Sequence, residues 1–133
     1  MIAALRRLLR SEGWLLLSAT FAEQALQLLA RHKVDVILSD QRLPGMTGVE
    51  LLRRAKRLYP DTLRLVLSGD SELQSITDAI NEGAIYKFLA KPWDNVQLRA
   101  QLREALALTE IADQNRRLHQ ELQNANRDLV TLT

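Results

Sequence analysis

Hydrophobic residues in this 133-residue chain change period at regular intervals. Ile2, Leu5, Leu8 and Leu9 recur at helical spacing and Gly13 stops the run, which predicts an amphipathic helix. Trp14 to Leu17 is a short apolar run of strand length. Phe21, Ala22, Ala25, Leu26, Leu28 and Leu29 return to helical spacing, with Thr20 and Glu23 placed as a capping box. Val34 to Leu38 predicts a second strand, apolar on both faces except at Asp35. Val49, Leu52, Ala55 and Leu58 predict a helix that Pro60 ends, and Leu63 to Leu67 a third strand. Leu73, Ile76, Ala79 and Ile80 predict a helix that Gly83 stops. Ala84 to Ala90 reads as a fourth strand, closing at Lys91-Pro92, and from about Asp94 the pattern is helical to the end.

Strands that alternate with helices of ten to fifteen residues predict an α/β fold, a parallel sheet covered by helices on both faces. The last helix carries a second pattern. Ile111, Leu118, Ala125 and Leu132 lie seven apart, and Asn115, Leu122 and Leu129 follow the first three by four residues. This heptad repeat, with one polar core position at Asn115, predicts a parallel coiled coil and a homodimer. The alternative is a long helix packed on its own domain.

Composition narrows the function. The 18 basic and 16 acidic residues leave a net charge of +2. The pairs Arg6-Arg7, Arg53-Arg54 and Arg116-Arg117 fall on different helices, so no phosphate-neutralising stripe forms and nucleic acid is not an expected partner. The chain has no cysteine, which removes disulfides and thiolate metal sites and fits a cytoplasmic location. Its apolar runs are far short of the ~18 residues a membrane span needs, so no membrane partner is expected. The opening MIAALRRLLRSEG reads as a helix of the fold rather than a targeting peptide.

In an open parallel sheet, reacting groups gather at the carboxyl ends of the strands. Three such ends are polar here: Asp40 after VDVIL, Ser68 after LRLVL, and Lys91 after YKFLA. Taken singly, each is an ordinary turn or solvated residue. Together they would bring a carboxylate, a hydroxyl and an ammonium to one shallow pocket. A carboxylate there can take up a phosphoryl group as an acyl phosphate, a cation can offset the charge of its oxygens, and a hydroxyl can sense its presence. The enzyme alternatives lack their signatures. No glycine-rich phosphate loop, nucleophile elbow or His–carboxylate pairing is visible, and His32 and His119 read as surface helix residues.

The segments SDQRLPGMTGVELL, RLVLSGDS and EGAIYKFLAKPW resemble the receiver domain of two-component response regulators over about residues 1–108. The resemblance implies a flavodoxin-like sheet and a non-enzymatic signalling module. It implies Asp40 as the phosphoacceptor, Lys91 as the lysine that contacts the phosphoryl group, Ser68 as the switch hydroxyl and Phe88 as the switch aromatic. It also implies a Lys91-Pro92 bond that is often cis, a sensor histidine kinase as phosphodonor, and an output domain beyond Thr133 reached through residues 109–133. The segment YKFLAKPWDNVQLR resembles receivers attached to cyclic-di-GMP phosphodiesterase or related outputs. Mg²⁺ is the implied cofactor, held by Asp40 and the backbone carbonyl of Arg42. One departure bears on it: the family's opening central strand and its acidic pair have no counterpart in the sequence. Mg²⁺ binding is therefore expected to be weak, with a phosphorylation-incompetent dimerising scaffold as the alternative function. The gap in the family's 2-1-3-4-5 strand order would close by direct pairing of Trp14–Leu17 with Val34–Leu38, by strand exchange with another chain, or by residues preceding a truncated sequence.

Overall fold

The computed structural model describes residues 2–69 and 73–132, with the backbone alone described at residue 73 and over 125–132. In chain order the elements are α1 (Ile2–Leu9), a 3₁₀ turn (Arg10–Glu12), α2 (Ala22–Arg31), β1 (Val36–Asp40), the short strands β2 (Arg42–Leu43) and β3 (Met46–Thr47), α3 (Gly48–Leu58), β4 (Leu63–Ser68), α4 (Leu73–Asn81), β5 (Lys87–Ala90) and α5 (Asn95–Leu132). The strands β1, β4 and β5 form a parallel sheet in the order β1-β4-β5, while β2 and β3 make a separate antiparallel ribbon.

The alternation of side chains along each strand divides the interior into two cores. Ile37, Val66 and Phe88 face a cluster built with Val49 and Leu52 of α3 and Ile76 and Ala79 of α4. Val36, Leu38, Leu63, Leu65 and Leu89 face the other side, against Leu5, Leu8 and Leu9 of α1 and Leu98, Leu102 and Ala105 of α5. A sheet covered on both faces needs apolar residues at consecutive strand positions, which is why VIL and LVL stand unbroken by charge. The fold is the α/β, flavodoxin-like arrangement, and its long C-terminal helix runs without a break past residue 108.

Three expectations are corrected. Trp14–Leu17 is not a strand and does not pair with β1. Trp14 and Leu16 still pack into the α1–α5 core, while Leu15 and Leu17 point to solvent. The run has strand alternation, but among the described residues no neighbour meets its backbone in a ladder, and a strand is defined by that pairing. Thr20 does not cap α2 through its side chain. Phe21 holds the N-cap position without a side-chain bond, and the Thr20 N–H donates instead to Gln24 Oε1 at 2.9 Å. Both β1 and β5 start later than their apolar runs. Thr62 Oγ1 donates to the Val34 carbonyl at 2.7 Å, and the Ala84 N–H closes the end of α4 on the Ala79 carbonyl at 2.9 Å.

Arg64 explains how the connections on the lower rim are held. It lies on β4 and is only 8% exposed. Its guanidinium donates to the carbonyls of Pro60, Thr62, Gly83 and Ala84 at 2.7–3.2 Å, joining the α3–β4 and α4–β5 loops. Burial lowers its pKa from the usual arginine value.

Candidate functional site

The upper rim is formed by the carboxyl ends of the three parallel strands. Asp40 is the last residue of β1, in register with Leu67 of β4, and Ser68 is in register with Ala90 of β5. Beyond Asp40 the chain turns at once. The Gln41 N–H donates to the Leu67 carbonyl at 3.0 Å, and the Gly48 N–H donates to the Gln41 carbonyl at 2.9 Å. Pro44 and Gly45 join the two halves of the ribbon, with Gly45 at φ 82°, the left-handed region open to glycine. Thr47 then caps α3 by accepting the Glu50 N–H at 3.2 Å. The loop is thus closed on itself at the base of the strand, which fixes where the Asp40 side chain begins.

Two residues hold this closure, Gly48 of the Asp-x-x-Leu-Pro-x-x-x-Gly motif and Gln41, which that motif does not specify. Gln41 is buried, and its Oε1 accepts the Val49 N–H at 2.9 Å, satisfying a donor in the first turn of α3. Gly48 lies so close to the aspartate that a Cβ there would stand 2.3 Å from the Asp40 carbonyl oxygen. The capping sequence Thr47-Gly48-Val49-Glu50 carried a signal for the first turn of α3. Nothing in sequence marks a glutamine as an inward-facing cap.

Asp40 Oδ1 accepts two donors, the Arg42 N–H at 3.2 Å and Lys91 Nζ at 2.7 Å. The carboxylate side chain is 19% exposed and the lysine 32%, so the pair is open to a small reactant from one side. The Lys91 N–H donates to the Ser68 carbonyl at 3.0 Å, and the Lys91-Pro92 peptide is cis. Ser68, on the strand between Asp40 and Lys91, is buried at 2% exposure, and its hydroxyl donates to the Gly69 carbonyl at 2.9 Å. Phe88 is partly buried against the α3–α4 core. The structure thus puts Asp40 and Lys91 in direct contact, sets Ser68 between their strands, and turns Phe88 to the same face as Val66.

Carboxylate, ammonium and hydroxyl at neighbouring strand ends suit the reversible capture of a phosphoryl group. The donors for a divalent cation do not match so well. Among the described residues no three His, Asp or Glu side chains come together to hold a metal. Asp40 Oδ1 is engaged by Lys91, and one carboxylate with the Arg42 carbonyl is a thin set for a cation that takes six hard oxygens. These residues do not by themselves fit Mg²⁺.

The profile of the response regulator receiver domain matches residues 1–103. The chain belongs to the receiver domain family of two-component response regulators. It is 38% identical over 122 residues to the hydrogenase transcriptional regulatory protein HoxA of Cupriavidus necator, a match covering 92% of this chain and 25% of that protein. It is 30% identical over 104 residues to sporulation initiation phosphotransferase F of Bacillus subtilis, covering 78% of this chain and 83% of the relative. The signal receiver domain of an HD domain-containing protein from Pseudomonas fluorescens superposes with a TM-score of 0.80 at 43% identity, covering 85% of this chain and 83% of the other. The receiver spans about a quarter of the length of the first curated relatives it matches. Receiver domains of such regulators are in general non-enzymatic signalling modules. No helix among the described residues is long and apolar enough to cross a membrane.

Proposed function

We propose that this receiver is the phosphoacceptor module of a response regulator, with Asp40 taking a phosphoryl group from a sensor histidine kinase. The observation that supports this most is the 2.7 Å contact between Lys91 Nζ and Asp40 Oδ1, which meet across the end of β4 from the strands on either side of it. In the transfer, a carboxylate oxygen of Asp40 attacks phosphorus. The new O–P bond forms as the P–N bond to the kinase histidine breaks, and the imidazole nitrogen keeps the electron pair and takes a proton from water. Lys91 offsets the charge on the phosphoryl oxygens. Ser68 breaks its bond to the Gly69 carbonyl to reach one of those oxygens, and Phe88 moves into the space that follows. Residues 1–108 form the receiver, and residues 109–133 carry the change to an output domain and associate with a second copy. That relatives are named as transcriptional regulators and as an HD domain-containing protein supports an output domain as the partner of this receiver.

A second reading has its own support. With no cation-holding group among the described residues, the chain would act as a dimerising scaffold that keeps the receiver shell without the switch. Incubation of the chain with phosphoramidate, followed by intact mass, separates the two. The first reading expects a gain of one phosphoryl group, absent in Asp40→Asn and slowed about tenfold or more in Lys91→Ala. No gain in the wild-type chain favours the scaffold.

A further inference from the structure

The long helix α5 (Asn95–Leu132) meets the receiver body along one stripe. At 100° per residue that stripe runs through Leu98, Leu102, Ala105, Thr109, Asp113 and Arg116. Its chemistry changes halfway. Leu98, Leu102 and Ala105 are buried in the core shared with α1. Beyond them the helix stands off. A cleft of about 250 Å³ opens between Thr109, Asp113 and Arg116 and a body wall that includes Leu29, Val34, Leu58 and Tyr59.

Charge spans this cleft. Lys33 Nζ, on the α2–β1 connection, lies 3.4 Å from Asp113 Oδ2, and Arg116 Nη1 lies 2.7 Å from Asp61 Oδ1 on the α3–β4 connection. Arg116 Nη2 also donates to Asp113 Oδ1, so the four residues form one network. The hydrogen bond from Arg116 is the main reason the Asp113 carboxyl lies below its usual range. The Asp113 side chain is 22% exposed, but Lys33, Arg116 and Asp61 are 77%, 47% and 70% exposed. Ion pairs this open to water hold weakly and are screened by salt. The apolar contact before them is not screened.

The body side of the network is firm. Thr62 Oγ1 donates to the Val34 carbonyl at 2.7 Å, joining the two connections, and Arg64 donates to the carbonyls of Pro60 and Thr62 at 3.2 and 2.8 Å. The helix side has a place to bend. Thr109 Oγ1 donates to the Leu106 carbonyl at 2.8 Å, a side-chain bond to the preceding turn that competes with the backbone ladder and accompanies bending. Thr109 stands between the last core residue, Ala105, and the first charged one, Asp113. We propose that α5 carries a hinge at Leu106–Thr109 and an electrostatic clasp, Lys33–Asp113–Arg116–Asp61, so that the helix beyond residue 109 takes two positions: fastened to the lower rim, or swung away from it when the clasp is screened or broken. The inference deepens the proposed role of residues 109–133 as the connection to an output domain and rests on it. Its test reads the helix alone, so an unreactive Asp40 leaves it intact and a failed clasp leaves phosphoryl uptake untouched.

The chain has no cysteine, so two introduced thiols carry nitroxide labels at chosen places. Gln27→Cys on α2 and Glu121→Cys on α5 are both exposed and outside the clasp. Labelled chain diluted in an excess of unlabelled chain reports the distance within one molecule by pulsed electron paramagnetic resonance. At low salt a single narrow distance is expected. Arg116→Gln, or salt raised to about 1 M, is expected to widen the distribution about twofold or more and shift it to longer distance, and salt should add little to Arg116→Gln. Thr109→Val removes the hinge hydroxyl with little change of shape, and in the Arg116→Gln background it is expected to narrow the distribution again. Circular dichroism should show the same helix content throughout. A distribution that ignores both salt and Arg116→Gln overturns the proposal. So does one that Thr109→Val leaves equally broad, or a broadening that comes with loss of helix.

Discussion

At the scale of single residues, the site depends on how the backbone of Asp40 is held more than on the carboxylate's own neighbours. Gly48 is the sharpest case. A methyl at this position would overlap the Asp40 carbonyl oxygen at 2.3 Å, and that atom belongs to the backbone, so it cannot swing aside. Gly48→Ala is expected to lower stability by about 2 kcal/mol or more in urea unfolding and to slow phosphoryl uptake in the fraction that still folds. Gln41→Leu fills the same volume but leaves the Val49 N–H buried without its acceptor, a loss of about 1–3 kcal/mol. Gln41→Glu supplies the oxygen again and should recover part of it. Asp40, Ser68 and Lys91 could be chosen from the sequence because strand ends follow from apolar runs. Gln41 could not, since its role depends on the chain folding back to bring residue 49 within 2.9 Å.

At the scale of elements, charge fastens helices that sequence order leaves far apart. Glu12, at the end of the 3₁₀ turn after α1, accepts both oxygens' worth of bonding from Arg103 of α5 at 2.5–3.1 Å, and Arg99 Nε lies 3.5 Å from it. The hydrogen bond from Arg103 is the main reason the Glu12 pKa is lowered from 4.5. A carboxyl with a depressed folded-state pKa stabilises the fold above its unfolded value and loses that contribution as pH falls through the folded value. The contribution of the α1–α5 contact is therefore expected to be complete at neutral pH and to disappear as pH falls below 4.5. Thermal melts from pH 7 to pH 3 should show a steeper acid loss in the wild type than in Glu12→Gln. Equal slopes would mean that the pair contributes nothing. Arg64 is the complementary case, a buried cation held by four carbonyls. Arg64→Met is expected to cost about 3 kcal/mol, because it strips partners from the ends of two loops at once. Neither contact was visible in sequence: an arginine in the strand LRLVLS reads as a solvent-facing position, and residues 12 and 103 have no local relation.

For the molecule as a whole, the order of helices and strands, the two-faced core and the placement of the polar rim at the strand ends followed from the periodicity of apolar residues. The main departure was Trp14–Leu17. Alternation told which of its residues turn inward, and Trp14 and Leu16 do so; it could not tell that no ladder would receive the segment. Pairing is a property of the assembled sheet, whose order here is β1-β4-β5. The same sheet brings the ends of β1 and β5 to either side of Ser68, and the direct contact of Asp40 with Lys91 follows from the short reach between them. The most direct measurement is to treat the chain with phosphoramidate, reduce any acyl phosphate with borohydride, and map the peptides. The account predicts that residue 40 alone is converted to homoserine, and that Asp40→Asn yields none. Homoserine at another aspartate, or equal conversion in Asp40→Asn, would contradict it.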